Sequence, residues 1–102
     1  MLSELFGSKT TVFCLLQLVA LGEAYPLVVS TIYKISNTQV TRTLNKLEQA
    51  DILVGREIGR TLMYSLNTSW FLFKELKALL NKVILNMPID DQEKYFMKRK
   101  RP

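Results

Sequence analysis

The stretch ISNTQVTRTLNKLEQADILV, Ile35 to Val54, constrains the fold more than any other part of the chain. Val40, Leu44 and Leu47 recur at spacings of four and three, which lays one apolar stripe along a helix. Ser36 or Asn37 can cap that helix, and it is expected to run to about Gln49 or Ala50. Its other positions are short polar or basic: Thr38, Gln39, Thr41, Arg42, Asn45, Lys46 and Gln49. The single acid within the helix, Glu48, comes late. A helix that only fills a core needs its stripe and has no use for this opposite face.

Past Asp51 the period changes from that of a helix to that of strands. ILVGREI and TLMYSL flank Gly59-Arg60, and Leu62, Tyr64 and Leu66 alternate with Thr61, Met63 and Ser65. This predicts a β-hairpin with Gly59 at its tip and with Arg56 and Arg60 on or near that tip. Upstream, Ser8 can cap a helix from Lys9 to Gly22, with Val12, Leu15, Leu16, Val19 and Ala20 at helical spacing. That helix is apolar nearly all round, so it is expected to lie between the core and something else, such as a second subunit. A short helix from Pro26 to Tyr33 follows, with Pro26 in its first turn. Downstream, a last long helix is expected from Ser69 to Asn86, with Leu72, Leu76, Leu79, Leu80 and Val83 as its stripe and Pro88 as its stop. The segment Ile89–Pro102, with KYFMKRKRP, reads as a flexible basic tail.

Composition removes several function classes. The chain has 102 residues, enough for one domain with a modest core. It contains no His and one Cys, so it can make no intrachain disulfide, no Cys/His zinc site and no His-based triad. Cys14 reads as a small packed residue, because a reactive thiol needs a basic neighbourhood. The net charge is +5, and residues 25–102 carry all of the excess. That balance favours an anionic partner. The run Val12–Leu21 is about half the length needed to span a bilayer. A signal peptide ending near ALGEA is disfavoured by Glu4 and Glu23. A cytoplasmic chain with no membrane partner, no cofactor and no metal is expected.

Helix, short helix, turn, second helix, hairpin, helix is the order of a winged helix-turn-helix domain, in which the second helix of the pair enters the major groove. Arg pairs with guanine there, Asn or Gln with adenine, and Thr with base edges or phosphate. Asn37, Thr38, Gln39, Thr41, Arg42, Asn45 and Lys46, with Arg56, Arg60 and Thr61 on the hairpin, are therefore the expected DNA contacts. Val12, Leu16 and Val19 with Leu72, Leu76, Leu79, Leu80 and Val83 are the expected dimer interface. Two domain ranges are expected: residues 1–86 for the DNA-binding domain with its dimerisation helix, and 87–102 for the tail. The aromatic group Trp70, Phe71 and Phe73 is expected to pack the last helix against the body or a second subunit.

ISNTQVTRTLNKLEQADILV followed by GREIGRTLMYSLN resembles the small prokaryotic winged-helix regulators of the ArsR/MarR type. The opening LSELFGSKTTV also resembles the winged-helix module found with nucleotidyltransferase domains. The resemblance implies a homodimeric, non-enzymatic regulator of transcription that binds double-stranded DNA. It covers roughly Leu2 to Leu80 and departs from the pattern in places. Asp51 stands where the family usually has Gly, so a left-handed backbone is expected there. Lys34 stands where Gly often makes the turn between the paired helices. Leu27, Val28 and Ile32 are apolar where charge is usual, which leaves open a protein-interaction module, adaptor or antitoxin-like, as the alternative role. The metal-binding Cys and His of the metal-sensing branch are missing, so metal sensing does not carry over. No nucleotidyltransferase domain is expected to follow.

Overall fold

The computed structural model describes residues 2–96. Its order is α1 (Leu2–Phe6), α2 (Lys9–Leu21), α3 (Pro26–Tyr33), α4 (Asn37–Gln49), β1 (Leu53–Ile58), β2 (Thr61–Leu66), α5 (Phe73–Leu85) and α6 (Ile89–Phe96).

The caps set the helix limits. Ser8 Oγ accepts from the Thr11 N–H and starts α2, and Gly22 at φ 84° ends it. Ser36 Oγ accepts from the Gln39 N–H and starts α4. Two non-glycine residues sit in the left-handed region: Lys34 at φ 58° between α3 and α4, and Asp51 at φ 66° after α4. The strands pair antiparallel from Leu53 opposite Leu66 to Ile58 opposite Thr61, so Gly59-Arg60 is the hairpin loop. Ala24 makes a short third edge, exchanging both backbone hydrogen bonds with Tyr64 at 2.9 Å.

The all-round apolarity of α2 has an explanation within one chain. It packs against α1, α3, α4, α5, α6 and β2. Val12, Leu16 and Leu80, expected at a dimer interface, are buried in the core of the same chain together with Leu15, Leu18 and Leu44. Sequence periodicity shows that such residues are buried, not by which chain.

The C-terminal part also departs from expectation. Residues 67–72 are turns, because the capping groups there fold back locally: the Asn67 side chain accepts from the Ser69 N–H and donates to the Asp51 carbonyl. The long helix therefore starts at Phe73 rather than Ser69. Trp70 and Phe71 meet edge to face at 6.0 Å, and Phe71 is 82% exposed, so it does not pack on the body. Residues 89–96 are helix α6 rather than flexible tail. Tyr95 stacks on Tyr33 at 4.9 Å, and Tyr33 stacks on Phe13 at 4.3 Å. Gln17, buried on α2, donates to the Tyr95 carbonyl at 2.8 Å and to the Tyr33 hydroxyl at 3.2 Å. Phe96 closes the core beside them. The basic KRKR run lies outside the described residues. Among the described residues no helix is long and apolar enough to cross a membrane.

Candidate nucleic-acid interface

Helix α4 is held on the body by Val40 and Leu44, both fully buried, and by half-buried Leu47. Burying that stripe forces the remaining positions outward. Asn37, Thr38, Thr41, Arg42 and Asn45 line one open hollow on the outer side of α4. All but half-buried Thr41 are exposed. Spacings of three, four and seven put Thr38, Thr41, Arg42 and Asn45 on one side of the helix.

Two expected contacts are placed apart from this group. The Gln39 amide donates to Thr10 Oγ1 at 2.9 Å, which ties it back to α2. Lys46 lines a different hollow with Ser8, Thr11 and Thr43, on the α1–α2 side of α4. Neither placement was visible in sequence, because Thr10 lies 29 positions from Gln39.

The hairpin stands beside α4 and is pinned to it at the root. The Glu48 carboxylate accepts from the Gly55 N–H at 3.2 Å, so the one acid within α4 turns to the hairpin base and away from the outer face. A Cβ on Gly55 would come within 2.8 Å of that carboxylate oxygen, so a side chain there would displace the Glu48 carboxylate from the Gly55 N–H. The Tyr64 hydroxyl donates to Asn45 Oδ1 at 2.7 Å. Burial, and secondarily the nearby Glu48 charge, push the Tyr64 phenol up, so it stays a proton donor. Tyr64 was read from sequence as one of an alternating set, and its hydroxyl partner carried no signal there.

Strand alternation places Arg56 and Thr61 with Val54 and Ile58 on the hairpin face opposite Tyr64. Arg60 occupies the loop next to Gly59, which takes φ 64°. Arg56, Arg60 and Thr61 are all exposed.

Apolar side chains are exposed elsewhere on the surface. Leu27 and Val28 on α3 are 67% and 49% exposed. On α5, Leu79 and Val83 line a hollow of about 470 Å³ with Lys82, Asn86, Met87 and Pro88. Of the residues expected at a dimer interface, Leu72 and Leu79 are exposed, and Val19, Leu76 and Val83 are half-buried. Cys14 is fully buried, and burial pushes its thiol up to about 12. It is a packing residue.

No family model matches the chain, and no curated protein matches it by sequence. Solved structures do match. The YusO protein of Bacillus subtilis aligns with a TM-score of 0.61 at 17% identity, over 87% of this chain and 70% of that one. The adhesin competence repressor AdcR of Streptococcus pyogenes aligns at 0.59 and 16%, over 89% and 80%. A doubly substituted ZitR of Lactococcus lactis in its apo form aligns at 0.56 and 19%, over 90% and 78%. At these identities the likeness establishes the fold: a winged helix-turn-helix, mostly helical, with one antiparallel hairpin as the wing.

Proposed function

We propose that this chain is a sequence-specific, double-stranded DNA-binding regulator of transcription that acts as a homodimer. One observation carries the reading: the outer face of α4 groups Asn37, Thr38, Thr41, Arg42 and Asn45 without an acid, beside a wing bearing Arg56 and Arg60. These are base-edge and phosphate-binding side chains on a helix that a winged helix-turn-helix inserts in the major groove. The wing arginines and Thr61 would contact flanking backbone or the minor groove. The N-terminal N–H groups of α4 would add a phosphate contact. Gln39 and Lys46 take supporting roles: Gln39 fixes α4 on α2, and Lys46 contributes charge from the side. The resemblance to repressors such as AdcR supports the reading, as does the +5 charge. Such a regulator works by occupying an operator, in the cytoplasm, without catalysis or cofactor.

The dimer would form through apolar residues left exposed on α5 and just before it, Leu79 and Leu72 with Val83 at their edge, and not through Val12, Leu16 or Leu80. Two copies of α4 would then address half-sites about 34–36 Å apart. A clean monomer by light scattering at micromolar concentration would sink this part. Binding is tested by fluorescence anisotropy at physiological salt, with the DNA upstream of the protein's own gene against an unrelated duplex. A preference of about 10³-fold or more supports a specific regulator. Equal weak binding to both removes sequence specificity from the proposal.

Leu27 and Val28 favour a second reading, a protein-interaction module. Leu27 and Val28 are exposed and half-buried Ile32 lies on the same helix, a surface that a partner could cover. Absence of binding to any duplex, with a protein complex that Leu27→Glu abolishes, would establish it.

A further inference from the structure

We infer that Tyr64 sets which base Asn45 reads, by holding the Asn45 amide so that its N–H₂ group alone faces the groove. This rests on α4 being the base-reading helix. The observation is the 2.7 Å hydrogen bond from the Tyr64 hydroxyl to Asn45 Oδ1, between a fully buried phenol and an exposed amide.

An asparagine reads adenine through both ends of its amide: Oδ1 accepts from N6, and Nδ2 donates to N7. That pairing needs both atoms aimed at one base edge. Here Oδ1 is turned to the wing and occupied. The Nδ2 group lies on the opposite branch of the amide and is left with two donors. Two donors match an edge with two neighbouring acceptors, which in the major groove is guanine, with O6 and N7. Adenine would set its own N6 donor against them.

The direction of the bond is fixed by Tyr64 and its surroundings. The phenol hydrogen must go to an acceptor, since a buried hydroxyl left unpaired is costly. Tyr64 is itself fixed twice through its backbone, by the N–H and carbonyl it exchanges with Ala24 at 2.9 Å. Burial first, and the nearby Glu48 carboxylate second, favour the protonated phenol, so the hydroxyl keeps its hydrogen to donate. A residue in the wing core thus selects the base through a residue on α4. Tyr64 is a positioning residue: it reaches no DNA itself.

The test is enrichment of bound duplexes from a random pool, run in parallel for the wild type, Asn45→Ala, Tyr64→Phe and Asn45→Asp. The expected result has three parts. Asn45→Ala erases the preference at one position, and that position is guanine in the wild type by about tenfold or more. Tyr64→Phe, with the Oδ1 acceptor released, moves that position toward adenine and leaves the others alone. Asn45→Asp, which keeps an acceptor for Tyr64 and removes both donors, replaces guanine with cytosine there, whose N4 is a donor. Circular dichroism establishes that each variant is folded. If Tyr64→Phe does not fold, the wild-type base and Asn45→Asp decide the matter. Adenine at the Asn45 position of the wild type, an unchanged base in folded Tyr64→Phe, or no position lost in Asn45→Ala overturns the inference while α4 remains a reader. Enrichment of no sequence by the wild type overturns the reading of α4 itself, and this inference with it.

Discussion

Arg60→Ala offers the sharpest test of the wing, because its effect is a slope rather than a single affinity. Arg60 sits exposed in the hairpin loop beside Gly59, beyond the last strand pair of Ile58 with Thr61. Its removal disturbs no core residue, so the fold should be untouched. Each phosphate contact contributes about 0.9 to the steepness of log affinity against log salt on B-DNA. A dimer with two wings loses two such contacts, so the slope should become shallower by about 1.8. Between 50 and 200 mM salt the ratio of wild-type to variant affinity should then shrink by roughly twelvefold, or about 1.5 kcal/mol. A monomer with one wing would lose about 0.9, a change of roughly 3.5-fold over the same range. The assay is anisotropy titration of one labelled duplex at five salt concentrations. Lys74→Ala, exposed on α5, serves as the control and should leave the slope unchanged. Parallel salt plots for wild type and Arg60→Ala would refute the placement of the wing on phosphate, whatever the absolute affinities.

Leu44 is fully buried at the centre of the α4 stripe, and Leu44→Ala should cost about 2–5 kcal/mol, read as a melting temperature lower by about 10 °C or more. An unchanged melting temperature would show that α4 is not anchored as described. Lys34→Gly should stabilise the fold by about 0.5–1 kcal/mol, since the left-handed backbone costs a lysine more than it costs glycine. Asp51→Gly should gain less, because aspartate tolerates that region better, and denaturant midpoints compare the two. Cys14, buried and with its thiol pushed up to about 12, stays a thiol throughout pH 7–9 and should resist a thiol-reactive dye there until denaturant is added. Rapid labelling of the folded protein would contradict that burial.

What could be read from sequence was whatever the chain writes locally. Ser36, the Val40–Leu44–Leu47 stripe and the change of period after Asp51 lie within twenty residues, and helix, turn and wing follow from them. Pro26 fixes the start of α3, and Gly22 the end of α2. Helix α6 was illegible for the opposite reason. IDDQEKYF has a solvated look, and what holds it is a stack on Tyr33 and a hydrogen bond from Gln17, 78 positions away from Tyr95. The same holds for the fate of Val12, Leu16 and Leu80: apolarity announces burial, and only the tertiary arrangement says that α5 and α4 of the same chain supply it. On α4, residue type located the outer polar face that Asn37, Thr38, Thr41, Arg42 and Asn45 share. It could not locate the two amides whose orientation is spent inside the protein, Gln39 on Thr10 and Asn45 on Tyr64.

The hairpin is built like a cantilever. Its root is clamped from three sides, by Ala24 on Tyr64, by Tyr64 on Asn45 and by Glu48 on Gly55. Beyond Gly55 on the first strand, Arg56, Glu57 and Ile58 are all exposed, and Gly59, Arg60 and Thr61 continue that run around the loop. Stiffness at the root and compliance at the end have different uses. The stiff part keeps α4 in register with the body, which matters for the proposed base contacts, since a displacement of about 1 Å would misalign them. On the proposed function, an exposed end would let Arg60 follow the local contour of a duplex, whose groove width varies with sequence. Errors in that contour would then be absorbed at the free end and would not propagate to α4.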